Sequence, residues 1–426
     1  MNKSETRNNS DSENIVEGFQ KTRQTTMELC KPLERDDYMV QSTPDTSPPK
    51  WHLGHTTWFF EKFILRPMAR NYRAFDEKLD YVFNSYYETV GDFVPKSMRA
   101  TISRPSLETV LDYRKHVEDS MLSLLSESGR NQEILERTLL GINHEQQHQE
   151  LLLMDIKRNY YESSFRPAYA DGRKPTSSGI DSRYHDFTEQ TAFIGFDGHG
   201  FSFDNETPRH RELVPPFSIA NRPVTNGEFM RFIEDGGYRK PDLWLSMGWS
   251  WLRKNRIKMP LYWEKKDGNF RYFTLYGMQD VDPGEPVMHI SYYEADAFAR
   301  WAGAKLPTES QWEVAMASSM HHGDENFLET WKYTPFMDDS SQGISATGNV
   351  WEWTLSSYLP YPGFRPLGGS LGEYNGKFMS GQMVLKGSSF STPKGHSRTS
   401  YRNFYVPWSR WQFSGMRIAK DGYNGQ

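Results

Sequence analysis

Residues 133–157 read EILERTLLGINHEQQHQELLLMDIK. The apolar spacing predicts one long helix, with His144 and His148 at i and i+4. Side chains one turn apart share a helix face, so both imidazoles can point into a bundle core. Upstream, Trp51 to Leu65 read WHLGHTTWFFEKFIL just after Pro48 and Pro49. Proline suits a first turn, where its missing N–H would have no partner anyway. Residues 106–125 form a third pattern, with Leu107, Val110, Leu111, Val117, Met121 and Leu124 near one face and Ser106 as N-cap. A helix over roughly 15–34 makes four, enough for a bundle.

Beyond Tyr161 the texture changes. Residues 166–190 are rich in Ser, Gly, Pro and charge and lack periodicity, so a linker is expected there. From Thr191 short apolar stretches alternate with Gly, Pro, Asn and Asp. Helical patterns are confined to about 225–235, 292–303 and 308–317. This is the texture of a loop-rich α+β domain. Tryptophan follows the same division, because only Trp51 and Trp58 precede residue 200. The expected organisation is a polar, disordered tail over 1–14, a helical domain over 15–165, a linker over 166–190 and an α+β domain over 191–426.

Composition excludes several classes. The net charge of −5 and pI of 6.2 do not provide a cationic surface for nucleic acid. Mean hydropathy is −0.77 and no apolar run approaches a membrane span. Met1 to Asn14 lacks the apolar core of a secretory signal. A single cysteine, Cys30, excludes an intrachain disulfide, a cysteine zinc site and an iron–sulfur cluster. A reducing, cytoplasmic setting fits these features.

Three histidines form a candidate metal set. His144 and His148 supply two imidazoles and His55, on the earlier helix, a third; His52 competes for that third place. Imidazole suits Fe, Zn, Cu and Ni. His144 to His148 also reads H-E-x-x-H, the zinc-hydrolase pattern in which the glutamate, here Glu145, is the base. No metzincin continuation follows it.

At these residues the chain resembles the ergothioneine-type sulfoxide synthases (the EgtB family). GINHEQQHQELLLMDIK and WHLGHTTWFFE are similar to that family's DinB-like iron-binding bundle. PVTNGEFMRFIEDGGY, KLPTESQWEVA, GNVWEWT, VLKGSSF and the terminal RTSYRNFYVPWSRWQFSGMRIAK resemble its formylglycine-generating-enzyme-like domain, a C-type-lectin-related fold. Formylglycine generation itself needs cysteine chemistry in that domain, and this one has no cysteine.

The resemblance implies an Fe(II), O2-dependent enzyme joining a thiol to C2 of the hercynine imidazole as a sulfoxide. It implies His55, His144 and His148 as iron ligands and Gln147 as a partner of the substrate imidazole. Asn403 and Phe404 would meet the trimethylammonium betaine, which an aromatic face suits. The family's proton-donating tyrosine comes from the second domain in one branch and from a Tyr-Tyr pair in another; Tyr86 and Tyr87 fit the second branch. Tyr405 stands where relatives using γ-glutamylcysteine carry aspartate, which points to cysteine. One of Arg99 and Arg104 would hold the donor carboxylate, in a basic run that is thin beside Lys96. A selenosugar donor, as in selenoneine synthases, and a non-catalytic ligand-binding role are the alternatives.

Overall fold

The computed structural model describes residues 3–128, 131–172, 174–177, 181–317, 326–337, 344 and 347–422. The chain divides into two compact units. Unit 1 holds Met1–Phe165 together with Gly368–Tyr374, and unit 2 holds Arg166–Leu367 and Asn375–Gln426.

Unit 1 is built on four long helices: α1 (Lys3–Cys30), α2 (Pro49–Phe60), α5 (Leu107–Ser128) and α6 (Gln132–Glu162). Two short helices, α3 (Arg66–Met68) and α4 (Leu79–Phe83), lie between α2 and α5. Helix α1 reaches back to Lys3, across the stretch expected to be a disordered tail. No proline or glycine interrupts the run from Lys3 to Glu17, so a helix nucleated on the packed residues can propagate outward.

Every residue of α2 is buried, which is why its sequence shows no polar face. Pro49 occupies its first turn. The helix continues into a π turn, Glu61–Leu65. There Glu61 accepts hydrogen bonds from Tyr72 Oη and Tyr113 Oη, both at 2.8 Å. Two glycines let neighbours approach. A Cβ on Gly54 would lie 2.1 Å from the Phe83 ring, and one on Gly141 2.5 Å from the Phe60 ring. Helix α5 starts as its sequence indicates, with Ser106 Oγ accepting from Thr109 N at 3.2 Å. Val110, Val117, Met121 and Leu124 are buried.

Unit 2 carries twelve short strands among the described residues. β1 (Tyr184–Phe187), β4 (Phe217–Ala220) and β12 (Ala419–Asp421) form one antiparallel sheet in the order β1-β4-β12. β10 (Asn403–Tyr405), β9 (Met383–Gly387), β8 (Trp351–Ser357) and β11 (Ser414–Met416) form another in that order, with β11 parallel to β8. β2 (Gln190–Ile194) pairs with β3 (His210–Val214). β5 (Trp263–Lys266), β6 (Asn269–Thr274) and β7 (Gly277–Asp280) make an antiparallel meander.

Helices α7 (Asn226–Glu234), α9 (Tyr292–Trp301) and α10 (Glu309–Ala317) match the sequence patterns. Ser291 and Thr225 begin α9 and α7 with capping boxes. The motifs TESQWE and GNVWEWT are core elements: Trp312, Trp351 and Trp353 are buried, and Trp312 Nε1 donates to Glu352 at 2.7 Å.

The segment expected to be a linker is part of unit 2. Tyr169 N and Ala170 N both donate to Leu275 O, Ser177 N donates to Asp282, and β1 lies within it. It attaches through main-chain bonds and a four-residue strand, too short for a visible alternation. Helix α8 (Ser246–Asn255) is a further element absent from the sequence reading.

Candidate metal centre

Helices α2 and α6 bring three imidazoles together. Ring centroids are 5.0 Å apart for His55–His144 and 4.7 Å for both His55–His148 and His144–His148. One nitrogen from each ring lies within 4.8 Å of the others, and all three residues are buried. Stacking fixes two of the rings: Trp51 on His55 at 4.5 Å and 12°, and Phe59 on His144 at 4.3 Å and 26°.

Hydrogen bonds then choose the tautomers. His55 Nδ1 sits 2.6 Å from Phe83 O, a pure acceptor, so it carries the proton and Nε2 keeps a lone pair. That Nε2 is 3.2 Å from His144 Nε2. His52 Nε2 lies 2.9 Å from Asp155 Oδ2 and donates to it, which leaves His52 Nδ1 as an acceptor. His148 Nδ1, at 2.9 Å from His52 Nδ1, must therefore donate, and its Nε2 lone pair stays available. His52 is thus an outer partner that orients His148. Asp155 also accepts from Ser47 N at 2.8 Å.

Burial makes the rings neutral. It pulls His144 down to about 3 and His55 and His148 well below the usual imidazole range, the latter two also through neighbouring histidines. Neutral imidazole is the metal-binding form. Three buried, neutral, convergent nitrogens with a hydrogen-bonded outer layer fit a transition-metal ion such as iron.

Glu145 does not face this task. It accepts from Arg23 at 3.0 Å, Arg114 at 2.8 Å and Thr26 Oγ1 at 2.7 Å. Burial alone would push its carboxyl up, but Arg114 and Arg23 hold it down at about 2. A carboxylate locked in a two-arginine cage cannot serve as the base that the H-E-x-x-H hydrolase reading requires.

Tyr86 and Tyr87 pack at 5.0 Å, and Tyr87 is fully buried. Burial, then the neighbouring phenols, raises both hydroxyls well above the ordinary tyrosine value. A third tyrosine stands beside this pair. Tyr374 ends the segment Gly368–Tyr374 that belongs to unit 1, and its ring lies 5.6 Å from His144 and 5.9 Å from Tyr86. The segment is pinned by Glu373, which accepts from Glu88 N and Thr89 N at 3.0 Å each. A lone tyrosine in a glycine-rich loop nearly 290 residues downstream of Tyr86 carries no periodic signal; only its long-range contacts find it.

Arg99 is buried, donates to Ser47 Oγ at 2.7 Å and Ser85 Oγ at 3.0 Å, and lies over the Trp51 ring at 3.3 Å. Arg104 is exposed and bonds the Ser103 carbonyl; among the described contacts none joins it to the histidines. Gln147 is half-buried on α6, next to His148. Asn403 and Phe404 lie on β10 in unit 2. Asn403 Oδ1 accepts from Phe404 N at 2.9 Å, and the Phe404 ring stacks on Tyr358 at 4.1 Å and 14°. No helix is long and apolar enough to cross a membrane among the described residues.

Comparison with known proteins defines the class. The DinB superfamily matches residues 19–152 and the sulfatase-modifying factor enzyme 1-like domain matches residues 187–422. The protein therefore couples a DinB-like helical domain to a formylglycine-generating-enzyme-like one. A hercynine oxygenase of Mycolicibacterium thermoresistibile is 28% identical over 89% of both chains. That of Mycolicibacterium smegmatis is 33% identical over 67% of this chain and 72% of its own. That of Mycobacterium tuberculosis is 37% identical over 52% of this chain and 56% of its own length. The chain belongs to the hercynine oxygenase family.

Proposed function

We propose that this chain is an oxidoreductase of ergothioneine biosynthesis, an iron(II)- and O2-dependent sulfoxide synthase that joins the sulfur of free cysteine to C2 of the hercynine imidazole in a reducing cytoplasm. The observation that carries the reading is the convergence of His55, His144 and His148, with the tautomers of His55 and His148 set by hydrogen bonds. Iron(II) held by these residues would supply the redox chemistry with O2, and the neutral imidazoles would leave its positive charge uncompensated.

The chain's own residues bind, orient and exchange protons. Gln147, beside His148, offers a hydrogen bond to the hercynine ring. Phe404 gives the trimethylammonium group an aromatic face, worth about 0.5–2 kcal/mol, and Asn403 its polar neighbour. Buried phenols are protonated at neutral pH and can donate a proton during the reaction. Tyr374 joins Tyr86 and Tyr87 as a candidate for that role, because its ring packs against His144. Tyr405 in place of an aspartate disfavours a γ-glutamyl donor. With Arg104 exposed and turned to Ser103, the carboxylate-holding role falls to Arg99.

The test is anaerobic iron loading, then oxygen uptake and product mass with hercynine against cysteine, γ-glutamylcysteine and a selenosugar. A cysteinyl-hercynine sulfoxide formed only by the iron-loaded protein is expected. No oxygen uptake with hercynine and any donor would overturn the reading.

A further inference from the structure

Unit 2 holds a cavity of about 860 Å³ beside α8, which the chemistry above does not use. Its size falls within the range of ligand sites, about 300–1,000 Å³. Arg239, Arg253, Arg256, Lys258 and Lys265 line it, against one carboxylate, Glu234. This concentration of positive charge sits in a chain whose net charge is −5.

The five cations are not neutralised by carboxylates among the described residues. None of them forms an ion pair there, while Arg222, Arg402 and Arg417 of the same unit are each closed onto a carboxylate. Helix α8 ends at Arg256 in a left-handed turn, φ 53°, and this turn sets Arg253, Arg256 and Lys258 around one opening. A non-glycine residue in that region is uncommon.

Beneath the charges the lining is apolar. Leu252, Tyr238 and Phe270 are buried, and Ile257 and Met259 are half-buried. Lys265 lies over the Phe270 ring at 4.7 Å. Trp249 also lines the cavity, half-buried, and its ring stacks on no other ring among the described residues. Several guanidinium and ammonium groups above an aromatic floor match a ligand with clustered phosphates on a flat ring.

We propose that this cavity binds a nucleoside polyphosphate, with the phosphates among Arg253, Arg256 and Lys258 and the base against Trp249. The inference is independent of the reaction at the histidines. The test is calorimetric titration of the full-length iron-loaded protein with ATP, inorganic tripolyphosphate and adenosine. Saturable ATP binding is expected, weakened at least tenfold in the Arg253→Glu/Arg256→Glu double variant and about threefold in Trp249→Ala. Binding should also fall with added salt. His144→Ala should bind ATP unchanged, which separates this cavity from chelation at the metal centre. The Arg253, Arg256 and Trp249 substitutions change exposed or half-buried side chains, and unchanged thermal melts check the fold of every variant, that of the buried His144 included. No saturable ATP binding at millimolar concentration, equal binding by the charge-reversed variant, or loss of binding in His144→Ala would overturn the site. Tripolyphosphate binding as tightly as ATP, with no effect of Trp249→Ala, would overturn the nucleoside assignment.

Discussion

Replacing Asp155 by asparagine removes one negative charge from a buried relay while leaving its shape. In the wild-type chain Asp155 Oδ2 accepts from His52 Nε2 at 2.9 Å and from Ser47 N at 2.8 Å. His52 in turn accepts from His148 Nδ1 at 2.9 Å. An amide oxygen can keep both contacts, so the fold survives, but the bond from His52 is no longer charge-assisted. Charge-assisted bonds contribute about 1.5–3 kcal/mol and neutral ones about 0.5–1.5. The difference, about 1–2 kcal/mol, falls on the orientation and basicity of His148. Outer partners of metal-binding histidines typically change affinity by about 10–100-fold. Asp155→Asn should therefore weaken iron(II) binding about tenfold, read anaerobically by competition with a chromophoric chelator, while the metal-free melting temperature stays within a few degrees. Unchanged affinity would refute the tautomer argument for His148.

Other variants probe the remaining parts. Tyr374→Phe, Tyr86→Phe and Tyr87→Phe should each retain iron binding, and the one removing the proton donor should divert oxygen toward thiol oxidation, seen as cystine in place of sulfoxide by mass analysis. Glu145 has a folded-state pKa depressed to about 2 by Arg114 and Arg23. Its stabilisation, about 3 kcal/mol, is therefore present above the unfolded carboxylate range and lost as pH falls toward 2. Glu145→Gln should flatten the stability profile between about pH 5 and 2 in denaturant titrations. Gly54→Ala would place a methyl group 2.1 Å from the Phe83 ring. Overpacking of about 1–3 kcal/mol should lower the denaturation midpoint, and because Phe83 O orients His55, iron affinity should fall as well.

Legibility in the sequence followed contact range. His144 and His148 are readable because helical periodicity places them on one face, whereas only the family resemblance favours His55 over His52 on the same apolar helix. Ser106, which begins α5, is a local signal of the same kind. The role of His52 was open, since nothing along the chain links it to Asp155, 103 residues away. The cage around Glu145 is equally hidden: Arg23 and Arg114 approach it from α1 and α5. Segment 166–190 reads as a linker because main-chain bonding leaves no imprint on side-chain pattern. Tyr374 was invisible for the same reason as Asp155, at greater separation.

The ownership of Gly368–Tyr374 by unit 1 has a consequence for synthesis and dissection. On the ribosome the helices emerge first, yet their last structural piece arrives only after most of unit 2 has been translated. Closing so long a loop is slow and favours late completion. A fragment ending at Phe165 would leave the amides of Glu88 and Thr89 without the carboxylate of Glu373. The two halves are thus interleaved along the chain, and separating them by a single cut yields an unfinished first half.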